Sequence, residues 1–388
     1  FIRKVFEKRN KILVYGASGQ ADGILQYLSQ VGLDERLAGF VDRRYAEMPE
    51  GYQGYPVYAP SILFEQYDES HLILVASGEL HDSKIIKRLI QAGYVENLDF
   101  FYWKNFYFDL NDISVPLYAM YTQNRLLVSS TCVIPSTACN LRCRHCLNFT
   151  TYLPSFENRD LEVVCKDIDL LFQWIDYTGR LQISGGEPLL YPNLNDLIIY
   201  IGEHYRNKIH IFEIVFNGTI IPSEQLCQSM KKYDMTVYLD NYTESIDAKL
   251  NRREEMIALF NQYDLNWIDN TVPEWFDLDI FQTDNSGMNE QNSIEYFDMC
   301  NNPWHYFEDG KMYACNFARF AMKTGLHEEG KESYYDFTQM NESKKKELLE
   351  FTLNYNELGY VQLCKRCAGW ADMNPNKVPV AIQRKDEI

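Results

Sequence analysis

The stretch that decides the fold is residues 137–148, TACNLRCRHCLN, in which Cys139, Cys143 and Cys146 follow the spacing C-x3-C-x2-C. Three thiolates can hold three irons of a cubane cluster and leave the fourth iron open to a small molecule. The same spacing also suits one face of a buried helix, or the ligands of a zinc site. The spacing alone leaves all three interpretations open.

A second motif follows at the end of the next predicted strand, where Gly185, Gly186, Glu187 and Pro188 come directly after Ser184. Paired glycines let a backbone approach a ligand closely because they carry no Cβ. The free backbone groups and the Glu187 carboxylate can hold an ammonium group. The two motifs in this order are far more specific than either motif alone.

Together, the three cysteines and the GGEP motif resemble the signature of the radical S-adenosylmethionine (SAM) superfamily. The resemblance implies a partial (β/α)6 barrel, a [4Fe-4S] cluster on the three cysteines, and SAM chelating the open iron. It implies that residues 185–188 bind the methionine amine of SAM and that the backbone of His145 contacts its adenine. It also implies an enzyme that removes a substrate hydrogen with a 5′-deoxyadenosyl radical, and an electron donor of the flavodoxin or ferredoxin type.

Two further polar positions end predicted strands. Asn217 and Gly218 follow IFEIVF and resemble the family's NG turn near the SAM ribose, although an ordinary strand-ending turn explains them equally well. Asp240 ends TVYLD, where the family often places a polar residue that faces cofactor or substrate. We predict Asp240 as the catalytic residue, with a helix-capping role as the alternative.

A second set of cysteines lies in the last hundred residues. Cys300 and Cys315 flank a predicted hairpin with an Asp-Gly turn at Gly310, and Cys364 and Cys367 form C-x2-C. Four thiolates make a closed set that suits either zinc or a [4Fe-4S] cluster. The arrangement resembles the twitch domain, a shorter relative of the SPASM domain, which implies one auxiliary [4Fe-4S] cluster.

The three remaining cysteines sit in strand or helix patterns. We expect them to be buried, inert thiols; they are Cys132, Cys165 and Cys227.

The N-terminal region alternates short apolar strands with helical patterns, which predicts βαβ units and a parallel sheet. Gly16, Ser18 and Gly19 lie in a loop between a strand and a helix, the context of a nucleotide phosphate loop, and Asp42 ends the next strand, where a ribose-binding acid would sit. A scaffold or oligomer role is the alternative. The stretch resembles the Rossmann-like domain of bacterial surface-sugar enzymes, which implies carbohydrate metabolism.

The composition of the chain argues against several classes of function. The 388 residues carry a net charge of −18, which disfavours general nucleic-acid binding and an anionic membrane surface. No apolar run reaches the roughly 18 residues of a spanning helix. The first sixteen residues lack the apolar core of a signal peptide, so we expect a cytoplasmic protein.

The sequence therefore predicts an α/β chain of three domains. We expect a Rossmann-like domain at 1–117, a radical SAM core at 118–285, and a twitch-like cluster domain with a C-terminal extension at 286–388. The expected substrate is a small molecule or a nucleotide-linked sugar that is oxidised, deoxygenated or epimerised. A maturase of a ribosomally made peptide and a non-enzymatic zinc-binding assembly protein are the alternatives.

Overall fold

A computed structural model describes residues 6–65, 68–76, 79–106, 114–300, 302, 304–328 and 330–384. The chain divides into two compact units, residues 1–127 and 128–388. The division lies ten residues beyond the predicted boundary at 117, because the helix at 114–123 belongs to the first unit. Residues after 285 lie in the same unit as the predicted radical SAM core.

The first unit holds a parallel five-stranded sheet in the order β3-β2-β1-β4-β5. Its strands are β1 (Lys11–Tyr15), β2 (Leu37–Val41), β3 (Val57–Tyr58), β4 (His71–Val75) and β5 (Phe100–Tyr102). Its helices are α1 (Gly19–Gln30), α2 (Ser61–Phe64), α3 (Glu79–Gln91) and α4 (Ser114–Gln123). The strands are continuous apolar runs, as expected where both faces of a parallel sheet are covered.

One face of this sheet forms a buried core. Leu13 and Tyr15 of β1 and Ile73 and Val75 of β4 pack there with Leu89 of α3. The alternate residues of the same strands, such as Ile12 and Leu72, are also fully buried, on the opposite face. The predicted parallel α/β sheet is thus confirmed.

The second unit is built on an eight-stranded mixed sheet in the order β10-β9-β8-β7-β6-β12-β13-β14. Its first five strands alternate with four helices, and β7 to β10 pair in parallel. The order is β6 (Leu127–Ser136), α5 (Leu161–Trp174), β7 (Tyr177–Gly185), α6 (Leu194–Tyr205), β8 (Ile209–Phe216), α7 (Glu224–Lys232), β9 (Met235–Asp240), α8 (Arg253–Gln262) and β10 (Asn266–Asn270). This confirms an α/β partial barrel, with five strands in this fully described stretch.

The two faces of the barrel strands differ in polarity. Leu181 and Ile183 of β7, like Phe212 and Ile214 of β8, are fully buried beneath the helical layer. On the other face β7 carries the polar residues Arg180, Gln182 and Ser184, and Gln182 donates a hydrogen bond to Glu213 of β8 (2.8 Å). The helices therefore cover one side of the sheet, and the polar side is left to face the barrel interior.

The rest of this unit extends the sheet and covers its end. The elements are β11 (Trp275–Phe276), α9 (Glu290–Cys300), β12 (His305–Glu308), β13 (Lys311–Tyr313), α10 (Asn316–Lys323), β14 (Tyr334–Asp336), α11 (Lys345–Thr352) and β15 (Lys377–Val378). β12 runs parallel to β6, and β13 and β14 follow antiparallel. The last helix, α11, ends at Thr352, and Asn354 just after it adopts a left-handed conformation (φ 70°).

The predicted hairpin is present. Asp309 and Gly310 join β12 and β13 with positive φ at both positions (51° and 69°), as a two-residue Asp-Gly turn requires. Across the described residues, no helix is both long and apolar enough to cross a membrane.

Candidate active site

The predicted site residues gather at one edge of the barrel sheet, at the carboxyl ends of its strands. The cysteine loop follows β6, Gly185 ends β7, Asn217 follows β8, and Asp240 ends β9. Ligands of parallel barrels bind at this edge because the loops that leave the strands converge there.

These loops enclose a cavity of about 490 Å³. Eight of the predicted site residues line it, and they are Cys139, Cys143, Cys146, Gly185, Gly186, Glu187, Asn217 and Asp240. The sequence thus predicted residues that the fold brings together from four strand ends.

The three thiols of the loop lie near one another. Cys143 is buried with Leu141 and Ala381, and Cys139 and Cys146 pack against this group. Burial is the main cause that raises the pKa of Cys139 and of Cys143 to about 12, and the neighbouring thiol of Cys146 raises both further. Mutual repulsion of this kind is relieved when thiolates bind a cation or a cluster.

The donor set fits an iron–sulfur cluster. Thiolates are the soft ligands that such clusters use, and three of them leave one iron for another ligand. Among the described side chains, no three His, Cys, Asp or Glu residues form a group that could hold a metal ion. A cubane does not require such a group, because its thiolate ligands stand further apart than those of one ion.

The glycines of the GGEP motif are required by the approach of two backbones. Gly185 has φ 146°, and a Cβ at this position would lie 2.1 Å from the carbonyl oxygen of Ser136. A Cβ on Gly186 would lie 2.1 Å from the carbonyl oxygen of Ala138. The motif therefore lies directly against the start of the cysteine loop. Pro188 is buried in the short 3-10 turn that follows.

Glu187 connects two strand ends from a buried position. Its side chain is 1% exposed. One oxygen accepts from the backbone N–H of Leu189 (3.1 Å) and the other from that of Asn217 (2.8 Å). Burial raises the pKa of Glu187 to about 8. The carboxylate holds the turn after β7 against the turn after β8.

Asn217 belongs to a hydrogen-bonded network that the sequence did not predict. Its Nδ2 donates to Oδ1 of Asn140 in the cysteine loop (3.0 Å), and its Oδ1 accepts from the backbone N–H of Thr219 (3.0 Å). Asn140 in turn donates to Oγ1 of Thr219 (2.8 Å). Gly218 has φ 79°, so this is a strand-ending turn that also lines the cavity. In the sequence, only the position of Asn140 between Cys139 and Cys143 indicated that it belongs to the site.

Asp240 lies in a second network at the cavity wall. Its carboxylate accepts from the hydroxyl of Tyr242 (2.5 Å) and from Nδ2 of Asn270 (2.5 Å). Burial raises the pKa of Asp240 to about 6. The capping alternative is wrong, because the next helix, α8, begins only at Arg253. Tyr242 and Asn270 were missed, although Asn270 ends the next strand and so belongs to the same edge.

His145 points away from this cavity. Its Nδ1 lies 2.8 Å from Oδ2 of Asp277, and both residues line a separate cavity of about 290 Å³. The predicted contact with adenine concerns the backbone of His145, so the side-chain pairing leaves that prediction untested.

The C-terminal segment is part of the site rather than a plain extension. β15 pairs with β11 at the cavity wall, and residues 382–384 then run along the cysteine loop. The backbone N–H of Arg144 donates to the carbonyl of Ile382 (2.8 Å). The backbones of Cys143 and Gln383 pair in an isolated antiparallel β-bridge. Sequence reasoning missed this contact because it joins residues about 240 positions apart.

The second cysteine set also comes together. Cys300 ends α9, Cys315 precedes α10, Cys364 lies in a short 3-10 turn, and Cys367 directly follows that turn. Burial is the largest cause that raises the pKa values of Cys315, Cys364 and Cys367, and the charges of neighbouring cysteines in this set raise them further. Asn302 donates to Sγ of Cys315 (3.5 Å) and the N–H of Gly369 to Sγ of Cys367 (3.3 Å).

Of the three remaining cysteines, Cys132 and Cys227 are buried as expected. Cys165 is partly exposed.

In the first unit, the predicted nucleotide loop is held by Asp42. The backbone N–H of Ala17 donates to Oδ2 of Asp42 (3.0 Å), and Arg44 donates to both carboxylate oxygens. Gly16 has φ 119°, and Gly19 is the first residue of α1. Ser18 precedes that helix without a side-chain capping bond. The carboxylate predicted to bind a ribose is thus engaged within its own domain.

Known proteins resemble parts of this chain. Residues 133–262 match the model of the radical SAM superfamily. The uncharacterised protein MJ0907 of Methanocaldococcus jannaschii is 32% identical over 102 residues, which is 26% of this chain and 33% of that protein. The chain therefore spans about a third of the length of this curated relative.

Solved structures show more distant likenesses. BtrN, solved in complex with AdoMet and 2-DOIA, is 16% identical over 68% of this chain and 98% of its own, with a TM-score of 0.41. The anSMEcpe enzyme with AdoMet and the Cp18Cys peptide is 22% identical over 36% of this chain and 42% of its own, with a TM-score of 0.30. SuiB of Streptococcus suis with S-adenosylmethionine is 19% identical over 47% of this chain and 36% of its own, with a TM-score of 0.28.

The family match covers the cysteine loop, the GGEP motif, Asn217 and Asp240. It implies a [4Fe-4S] cluster and SAM as the cofactors of the cavity, as the sequence predicted, and the residues present fit that pair. Residues 133–262 therefore form a domain that matches the radical SAM superfamily.

Proposed function

We propose that the protein is a radical SAM enzyme that removes a hydrogen atom from a carbohydrate or a nucleotide-linked sugar. The observation that carries the proposal is the convergence of the three loop thiols, the GGEP turn, Asn217 and Asp240 around one cavity. When bound, the cluster and SAM would supply reductive cleavage of SAM and a 5′-deoxyadenosyl radical.

Different residues of the cavity would hold the cluster and SAM. Cys139, Cys143 and Cys146 would hold the cluster, and the GGEP turn would receive the methionine end of SAM. Both oxygens of the Glu187 carboxyl group accept from backbone N–H groups, so the group is held in place beside the position where an ammonium group would lie. Cys143 and Glu187 are buried in this wall, which would limit the access of water to bound cofactors.

Asp240 is the proposed proton-handling residue. Its pKa of about 6 lies near neutral pH, where a carboxyl group can act as an acid or a base. Tyr242 and Asn270 orient its two oxygens and keep the side chain at the cavity wall. If oxidation of the substrate releases a proton, the Asp240 carboxylate would accept it.

The remaining cavity wall supports a sugar-like substrate. Trp275, Phe276 and Trp370 supply apolar aromatic surface, and Glu274 and Asn270 supply polar groups beside it. A sugar ring presents apolar C–H faces and a rim of hydroxyls, so it matches such a mixed surface.

Four further thiols support an auxiliary cluster. Cys300, Cys315, Cys364 and Cys367 are free thiols that would together hold a second [4Fe-4S] cluster, with zinc as the alternative occupant. Such a cluster would give the enzyme a place to receive an electron from an oxidised substrate. The electron donor to the first cluster would be a cytoplasmic flavodoxin or ferredoxin.

The first unit is proposed to bind a nucleotide at the loop that contains Gly16, Ser18 and Gly19. The backbone of this strand–loop–helix turn could accept a phosphate group. Asp42 would act there by holding the loop in shape.

The test is anaerobic reconstitution followed by incubation with SAM, a reductant and separate panels of nucleotide-sugars, aminocyclitols and leader peptides. The proposal expects 5′-deoxyadenosine to form in step with consumption of a sugar-type compound, and deuterium at the substrate carbon to appear in it. Turnover of a leader peptide, with no response to any sugar, would instead establish the peptide-maturase alternative.

A further inference from the structure

The outer side of the cysteine loop is covered by the C-terminal strap, defined as residues 377–384. The strap begins with β15 and ends in antiparallel contact with the loop, where Cys143 faces Gln383. Ala381 is fully buried against Leu141 and Cys143. Ala381 also adopts φ 49°, a left-handed conformation that a non-glycine residue keeps only where its surroundings enforce it.

The side-chain amide of Gln383 lies on the thiol of Cys143. Its Nε2 donates to Sγ of Cys143 (3.3 Å) and to the carbonyl of Ala381 (2.6 Å). Its Oε1 accepts from the backbone N–H of Arg142 (2.8 Å). Because a backbone N–H can only donate, it fixes the oxygen end of the amide toward Arg142 and the NH2 end toward the sulfur.

We propose that Gln383 is a positioning residue of the cofactor site that sets the reduction potential of the cluster held by Cys143. This inference rests on the proposed function, which places a [4Fe-4S] cluster on that thiol. Reduction adds negative charge to the cluster and its thiolates, so an N–H donor on sulfur stabilises the reduced state and raises the potential. Cys143 is only 6% exposed, and the low local dielectric strengthens such a bond.

The experiment measures the midpoint potential of the SAM-site cluster by an EPR-monitored redox titration of the reconstituted full-length protein. Gln383→Met removes the donor without adding charge. Gln383→Glu keeps the acceptor for the Arg142 N–H and removes the donor to sulfur. Ile382→Ala is the matched control, because Ile382 is the neighbour of Gln383 on the strap and its side chain is exposed.

Both Gln383 variants are expected to have a lower potential than the wild type, with the ratio of reduced to oxidised cluster about tenfold smaller at a fixed potential. For a one-electron couple this corresponds to about 59 mV. Ile382→Ala is expected to match the wild type. A wild-type potential in loaded Gln383→Met overturns the inference, and if that variant does not load, a wild-type potential in Gln383→Glu overturns it.

Failure of the proposed function has a different signature. Wild-type protein that assembles no SAM-responsive cluster would remove the proposed function, and this inference with it. A wild type that assembles the cluster, with variants that share its potential, would remove only the role of Gln383.

Discussion

At the scale of single residues, the site depends on two glycines, because a Cβ at either position would not fit. Gly185 and Gly186 allow the turn after β7 to touch the backbone of the cysteine loop, at distances that no Cβ permits. The sequence predicted these glycines to approach a ligand. In the structure they also lie against the start of the cysteine loop, so they bring the GGEP turn and the thiol ligands together.

Gly185→Ala is therefore expected to displace the GGEP turn and to reduce both cluster loading and SAM binding. The added Cβ would clash with the Ser136 carbonyl, and the φ of 146° is unfavourable for any L-residue. Thermal unfolding and iron content provide the measurements. The matched control is Gly23→Ala in α1, which meets no atom within 4 Å. It should raise stability by about 0.5–1 kcal/mol. Equal behaviour of the two variants would contradict the argument.

At the scale of elements, one carboxylate holds the β12–β13 hairpin to the barrel. Asp167 of α5 accepts from the backbone N–H groups of Asp309 and Gly310 (2.8 and 3.0 Å) and from Arg159 (2.7 Å). Arg159 is itself buried. The N–H groups of the hairpin thus give the buried Asp167 carboxylate the hydrogen bonds that it would otherwise make with water.

Asp167→Ala is expected to lower the free energy of unfolding by about 1–3 kcal/mol, because it leaves buried donors without an acceptor. Asp309→Asn is the control, since Asn tolerates the left-handed turn and Asp309 is largely exposed. We expect it to cost at most about 1 kcal/mol. Chemical denaturation checks both values, and a larger loss in Asp309→Asn than in Asp167→Ala would refute the assignment.

His305 on β12 makes the stability of the same element depend on pH. Burial lowers its pKa from 6.5 to about 4. The unfolded chain therefore takes up a proton below pH 6.5 that the folded chain refuses, and stability falls as the pH drops from 6.5 toward 4.

Between pH 7.5 and 5 we expect this group to remove about 2 kcal/mol from the free energy of unfolding. His305→Leu should lack this part of the pH dependence. Parallel denaturant titrations of the two proteins give the measurement. Identical slopes against pH in the two proteins would show that His305 is not held neutral.

At the scale of the whole molecule, the sequence predicted more of the barrel than of its surroundings. Strands such as KILVY and IFEIVF are apolar and bounded by turn residues, so their positions and the polar residues at their ends were predictable. The strap was not, because Gln383 reaches Cys143 through backbone pairing that no local pattern encodes. Tyr242 was missed because its partner, Asp240, identifies it only once the loop is folded.

The two cysteine sets predict how metal content divides across the molecule. Two [4Fe-4S] clusters contain about eight irons and eight sulfides per chain. Replacement of Cys364 and Cys367 by Ala should lower both contents to about four and leave the SAM-site cluster in place. Iron and sulfide analysis after anaerobic reconstitution makes this measurement. About four irons in the wild type, with one zinc, would show that the second set is a zinc site.

The central claim is that Cys139, Cys143 and Cys146 hold the cluster at which SAM is cleaved. The most direct measurement is 5′-deoxyadenosine formation from SAM under reductant, compared between the wild type, Cys139→Ala and Cys165→Ala. Cys165 lies on α5, outside both cysteine sets, and serves as the control. Product is expected from the wild type and from Cys165→Ala, and none from Cys139→Ala. Retained cleavage in Cys139→Ala would contradict it.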